Sequence, residues 1–222
     1  MKDFLFKEYV YDTTAAGTAQ LSRLAPGVKR ASLEIPKQVL KTCVSDIGES
    51  AFEDESQIIS VSIPDTIQNI QNFAFSKCKS LQSLNFSSTG TLLNIGKYAF
   101  ANCHNFRHLL VNRPTTLNEQ AFMCCKELRS AAGKFENVGK HAFAHCGNLR
   151  DVYFLEDVAL ADTAFYACSA LETLTFAGNL IGDISFLQYV PETVKIICQE
   201  DSNVTELVHL GYHVETYKCL TS

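Results

Sequence analysis

No run of about 18 apolar residues occurs in the 222-residue chain, so no segment is long enough to cross a bilayer as a helix. No basic block occurs either. Lys and Arg total 19 against 24 Asp and Glu, a formal net charge of −5, which argues against a nucleic-acid partner. The opening stretch MKDFLFKEYVYD holds no continuous apolar segment of signal-peptide length. The chain is then either cytoplasmic or begins after a removed signal. There is no Gly-rich phosphate loop, no G-x-S-x-G elbow and no H-E-x-x-H motif, so no cofactor and no catalytic residues are expected. No low-complexity tract or Pro/Gly/Ser linker divides the chain. Hydrophobic residues nevertheless make up 46% and charged residues only 19%, which allows a full core and argues against disorder.

The feature that is present is a repeat. Ala51-Phe52, Ala74-Phe75, Ala99-Phe100, Ala121-Phe122, Ala142-Phe143 and Ala164-Phe165 place phenylalanines 23, 25, 22, 21 and 22 residues apart. A cysteine follows each of the last five by three residues: Cys78, Cys103, Cys125, Cys146 and Cys168. Such a period marks a solenoid whose units stack on their neighbours. Five residues before the Phe stands Ile47, Ile70, Ile95, Leu117, Val138 or Leu160. At +6, +9 and +11 the sequence spells L-x-x-L-x-L, the strand of a leucine-rich repeat. The copy carrying Ala131 and Gly133 is weak. Strand alternation turns +9 and +11 inward and +8 and +10 outward. The return side is expected to make a tight turn at Gly48, Gly96 and Gly139, then a short helical turn. The six phenylalanines should form one buried spine.

The predicted fold is an α/β repeat solenoid, a right-handed leucine-rich-repeat superhelix of about seven rungs. Residues 1–31 form an N-terminal cap, with an amphipathic helix over 14–24. Residues 32–190 hold the repeats, with an insertion around Lys37–Thr42. Residues 191–222 form a C-terminal strand–helix–strand cap: Val194–Cys198, Ser202–Leu210 and His213–Tyr217.

These residues resemble the BspA-like subclass of leucine-rich repeats, found in bacterial and protozoan surface proteins. The shared pattern is I-P-x-x-[IV]-x-x-I-G-x-x-A-F-x-x-C-x-x-L, best seen in Ile63–Leu81, Leu92–Phe106 and Val138–Leu149. The likeness spans residues 32–217. It implies a binding or adhesion module with a protein ligand, at the cell surface or secreted. Glu55 replaces the cysteine in the first copy, and Asn118 and Ala161 replace the turn glycine.

Five of the nine cysteines share one inward phase and should act as small core hydrophobes. Zinc needs converging ligands, and the one close pair, Cys124-Cys125, diverges as adjacent residues do. A ladder of free thiols favours a reducing compartment, against the location the resemblance implies. His104, His108, His141 and His145 lie at different phases and read as surface residues.

The outward columns carry the candidate site. Arg107, Arg129 and Arg150 share phase +7, where stacked guanidiniums repel unless a carboxylate or a bound anion neutralises them. At +8 and +10 most residues are small and polar. Leu110 and Tyr153 stand out, two rungs apart, with His108 and Asp151 beside them. An apolar and an aromatic residue on a rigid strand face suit a binding hot spot, although isolated exposed apolar residues are ordinary. The expected function is non-catalytic protein binding on this concave strand face. The alternatives are a structural module that self-associates through its edges or caps, and an enzyme with a site around Tyr212, His213 and Tyr217.

Overall fold

The computed structural model describes residues 4–91, 93–199, 204–209 and 211–217. In chain order the strands begin with β1 Phe4–Phe6, β2 Tyr9–Thr13, β3 Ala19–Leu24, β4 Ser32–Glu34, β5 Gln38–Val39 and β6 Thr42–Ile47. Next come β7 Ser60–Ile63, β8 Asn69–Ile70, β9 Ser83–Phe86, β10 Leu93–Ile95, β11 His108–Leu117 and β12 Ser130–Val138. Last are β13 Asp151–Phe154, β14 Val158–Leu160, β15 Thr173–Phe176, β16 Leu180–Ile181, β17 Lys195–Gln199 and β18 His213–Tyr217. Helix is confined to α1 Val204–His209 and a 3₁₀ turn at Ser185–Tyr189 among the described residues.

Two parallel strand faces run along the solenoid. The broad face carries β4-β7-β9, then β11-β12-β13-β15-β17-β18, with β9 in contact with β11. The lateral face carries β3, β6, β8 and β10, the C-terminal halves of β11 and β12, then β14 and β16. Register follows the repeat phase: Leu109 lies opposite Ala131, Ala131 opposite Val152, and Val152 opposite Leu174. The solenoid makes about nine turns rather than seven, because β17 and β18 continue the broad ladder instead of closing it.

The structure is mostly strand, so the expected α/β class gives way to a β-rich solenoid. The reason lies in the Ala-Phe segment. The N–H of each of the first five Phe donates to the Ala carbonyl of the next rung: Phe52 to Ala74 at 2.7 Å, Phe75 to Ala99 at 2.7 Å, Phe100 to Ala121 at 2.8 Å. A helix would use those N–H groups within its own turn. Here residues at −2 and +2 from the Phe adopt positive φ instead, as at Tyr98 (56°) and Asn102 (62°). The return side is thus a run of tight turns bonded rung to rung, and the expected helical turn is absent.

The Phe rings stack in one buried column. Centroids lie 4.9, 5.1, 5.1, 5.8 and 5.7 Å apart from Phe52 to Phe165. Where Ala-Phe decays to Ser185-Phe186, the last ring meets Phe165 edge-on at 66°. The five phased thiols are buried, and each donates to the Phe carbonyl of the preceding rung, Cys78 to Phe52 and Cys168 to Phe143 among them. Gly133 is explained too: a Cβ there would come within 2.7 Å of the Phe135 ring, which fills the core at the weak copy.

Gly96 and Gly139 do not supply positive φ. A Cβ would lie 2.8 Å from Asn72 N and 2.9 Å from Asn118 C respectively, so these glycines permit close packing of adjacent rungs. The helix expected over 14–24 is β3, antiparallel to β2. Ala19 and Leu21 alternate inward as in a strand, and an irregularity at Val10/Tyr11 lets Leu24 also turn in, which mimics helical spacing. The insertion at Lys37–Thr42 is the β5–β6 hairpin, with Leu40 and Lys41 at positive φ. At the far end, α1 and β18 lie where a helix and strand were expected. The bounds Ser202 and Leu210 and the residue Cys219 fall outside the described residues.

Candidate functional site

Parallel pairing of β11, β12 and β13 brings the sequence-predicted residues together. His108, Ser130 and Asp151 share one row, and Leu110, Ala132 and Tyr153 a second. Between the rows Leu109, Ala131 and Val152 point inward and are buried, which fixes both rows outward. Leu110 is 53% and Tyr153 41% exposed. Ala132 lies between them, so two large side chains flank a small one on consecutive rungs, about 4.8 Å apart each.

Arg107, Arg129 and Arg150 stack just before these strands. Their backbones bond in series, Arg129 N–H to Arg107 O and Arg150 N–H to Arg129 O, both at 2.8 Å. Arg150 Nη1 pairs with Glu172 Oε1 at 3.0 Å. Arg107 and Arg129 make no side-chain hydrogen bond or ion pair among the described residues. His108 Nδ1 lies 2.9 Å from Ser130 Oγ, and Asp151 Oδ1 accepts from Thr173 Oγ1 at 2.6 Å. A cleft of about 500 Å³ is lined by His108, Arg129, Ser130, Asn148, Arg150 and Asp151.

Three contributors escaped the sequence reading. Asn148 lines the cleft while its Nδ2 donates to Lys126 O at 2.9 Å. Lys126 and Lys79 flank His104. Burial first, then Lys126 and Lys79, hold the His104 imidazole below its ordinary pKa. Lys79, His104 and Lys126 share phase +4, in turns whose direction no strand alternation sets.

The remaining candidates lie elsewhere. His141 and His145 pack edge-on against Tyr166, at 5.9 and 5.5 Å. At the C-terminal end, Tyr212 and Tyr217 donate their hydroxyls to the Leu187 and Phe176 carbonyls, at 3.0 and 2.8 Å, and so fasten the cap. Among the described residues no group of three His, Cys, Asp or Glu is placed to hold a metal ion. No helix among them is long and apolar enough to cross a membrane.

The sequence profile of the BspA type leucine-rich repeat region matches in six copies, over residues 45–172 and 114–202. Among solved structures, the chain is similar to the Treponema pallidum leucine-rich-repeat protein, with 18% identity and a TM-score of 0.65 over 98% of this chain and 100% of that one. A leucine-rich-repeat protein from Bacteroides capillosus shares 28% identity over 50% of this chain and 85% of its own, with a TM-score of 0.43. A leucine rich cell surface protein from Faecalibacterium prausnitzii shares 13% identity over 100% of this chain and 96% of its own, with a TM-score of 0.48. The sequence matches no curated protein.

Proposed function

Because the chain belongs to the BspA-type leucine-rich-repeat family, we propose that it is a non-catalytic module that binds a protein partner through the broad strand face at β11–β13. The observation that carries this reading is the row Leu110–Ala132–Tyr153. Two exposed large side chains flank a small one on a rigid ladder, beside a cleft rimmed by Arg129 and Arg150. A partner side chain seated over Ala132 would bury apolar surface on both sides, at low ordering cost because the strands are already fixed by hydrogen bonds. Arg107, Arg129, Arg150, His108 and Asp151 form the polar rim that steers the approach. The cell-surface location implied by the family belongs to the same reading.

The test is affinity capture on the immobilised protein. Tyr153→Ala is expected to weaken the captured partner by about 1–3 kcal/mol with nearly unchanged thermal stability. Ile181→Ala, more exposed at 54% but on the lateral face, should retain it. Equal retention by both variants would move the binding site off this face.

A further inference from the structure

Cations on this solenoid commonly find a carboxylate one rung away. Lys77 pairs with Glu53, Lys97 with Glu119, Lys134 with Glu156, Arg150 with Glu172 and Lys195 with Glu215. The corner beside β11–β13 departs from that rule. Lys79, His104 and Lys126 stack at phase +4, and Arg107, Arg129 and Arg150 at phase +7. Lys79, Lys126, Arg107 and Arg129 are exposed, and none has an ion pair among the described residues. Glu127 and Asp151 belong to the same rungs. Asp151 is turned to the Thr173 hydroxyl, and no bond joins Glu127 to these cations. Like charges on adjacent rungs destabilise one another. They stand on a protein whose formal net charge is −5, so the corner is a local reversal of sign.

We propose that this corner docks a carboxylate-rich segment of the protein partner, with Arg107 and Arg129 as the principal contacts. The inference rests on the binding reading above and gives the partner's chemistry. Guanidinium forks match carboxylates bidentately. Rungs step by about 4.8 Å, so Arg107 and Arg129 stand one such step apart. Acidic side chains two residues apart share one side of an extended segment, about 7 Å apart, a gap that the long Arg107 and Arg129 side chains span. The same segment passes the Leu110–Ala132–Tyr153 row, so it must also offer apolar side chains. That requirement favours a peptide over a sulfated polysaccharide, which has charge but little apolar surface.

The experiment uses the full chain and two fluorescent probes, a short peptide alternating Glu with Leu and a heparin fragment of matched charge. The peptide is expected to bind, more weakly as salt rises. Arg107→Ser/Arg129→Ser should weaken it about tenfold or more, while Lys29→Ser/Lys41→Ser, distant and exposed, should leave it unchanged. Circular dichroism of each variant checks that it is folded. Heparin binding without peptide binding would overturn the proposal in favour of a polysaccharide. Peptide binding that is indifferent to the arginine pair, or equally reduced in the lysine control, would overturn it as well. Neither failure touches the Leu110/Tyr153 reading, which Tyr153→Ala tests separately on the captured partner.

Discussion

Arg113 is the largest side chain that the fold buries completely, at 1% exposure. Its guanidinium reaches across the loop containing Gly90 to the bend of an earlier rung, where Nη1 meets Pro64 O at 3.4 Å and Nη2 meets Ile67 O. Those carbonyls lose their donor if the head group goes. Arg113→Met is expected to lower the unfolding free energy by about 2–4 kcal/mol in urea titrations. An unchanged midpoint would mean that water satisfies the carbonyls. The thiols show the opposite logic. Burial pushes Cys78 up to about 12 and raises the other four of its column, so none is a thiolate at neutral pH. Cys43 and Cys124, only part-buried, should react with a thiol reagent in the native protein long before these five. His104 gives a pH signature. Its folded pKa lies below that of the unfolded chain, so between the two values the unfolded chain holds more of this proton. Its share of stability is whole above pH about 6.5 and is lost as the pH falls through the folded value. His104→Asn should flatten that part of the stability–pH curve, and an unaltered slope would sink the assignment.

The elements repeat one design, and its stress points are testable. Phe100 stacks on Phe75 and Phe122 at 5.1 Å on either side, so Phe100→Ala opens a void in the middle of the column and should cost about 3–5 kcal/mol. Gly139→Ala should cost about 1–3 kcal/mol, since its Cβ would press on the Asn118 and Glu119 backbone, whereas Gly147→Ala meets open space. Asn118 and Ala161 hold the same phase as Gly139, so a Cβ is accepted where the rungs are set for it. The Phe spine and the inward strand positions were legible because a period of about 22 residues fixes phase without any knowledge of three-dimensional contacts. The return turns were not. The bonds that join them rung to rung run between residues 20 or more apart, and the local string Gly-x-x-Ala-Phe-x-x-Cys is equally compatible with a helical turn. Leu21 and Leu24 misled for a related reason: a register irregularity in a hairpin imitates helical spacing. At the candidate surface, the rows of Leu110 and Tyr153 followed from period-two alternation. Asn148, Lys79 and Lys126 did not, because a corner is assembled from turn residues whose direction no periodicity sets. Arg113 was invisible for want of any signal that its partners lie two rungs back.

At the scale of the whole molecule, the choice is between a binding module and a self-assembling one. A solenoid polymerises when each end presents a strand that can continue the other's ladder. The two ends here do not match. At the N-terminal end of the lateral face β2 runs antiparallel to both β1 and β3, while the broad face ends on β4, parallel to β7. At the C-terminal end β18 is parallel to β17, and α1 lies against it with Leu207 buried. His213 and Glu215 are exposed along β18, and Lys195 pairs with Glu215 on the last two rungs. A second copy adding its β4 edge to β18 would set Glu34 in the row of Glu215, like charge beside like, and would displace the Tyr9 hydroxyl from the Glu34 carbonyl. The lateral face offers a row of amides over much of its length, with Asn69 donating to Asp46 at 2.8 Å and Asn118 to Asn94 at 2.7 Å, and turns apolar only at Ala159 and Ile181. Light scattering should therefore return the mass of one chain across a wide range of concentration. A mass that climbs with concentration, and falls back when Glu215→Lys breaks the pair with Lys195, would favour assembly over binding and would direct the search for function to the ends of the solenoid.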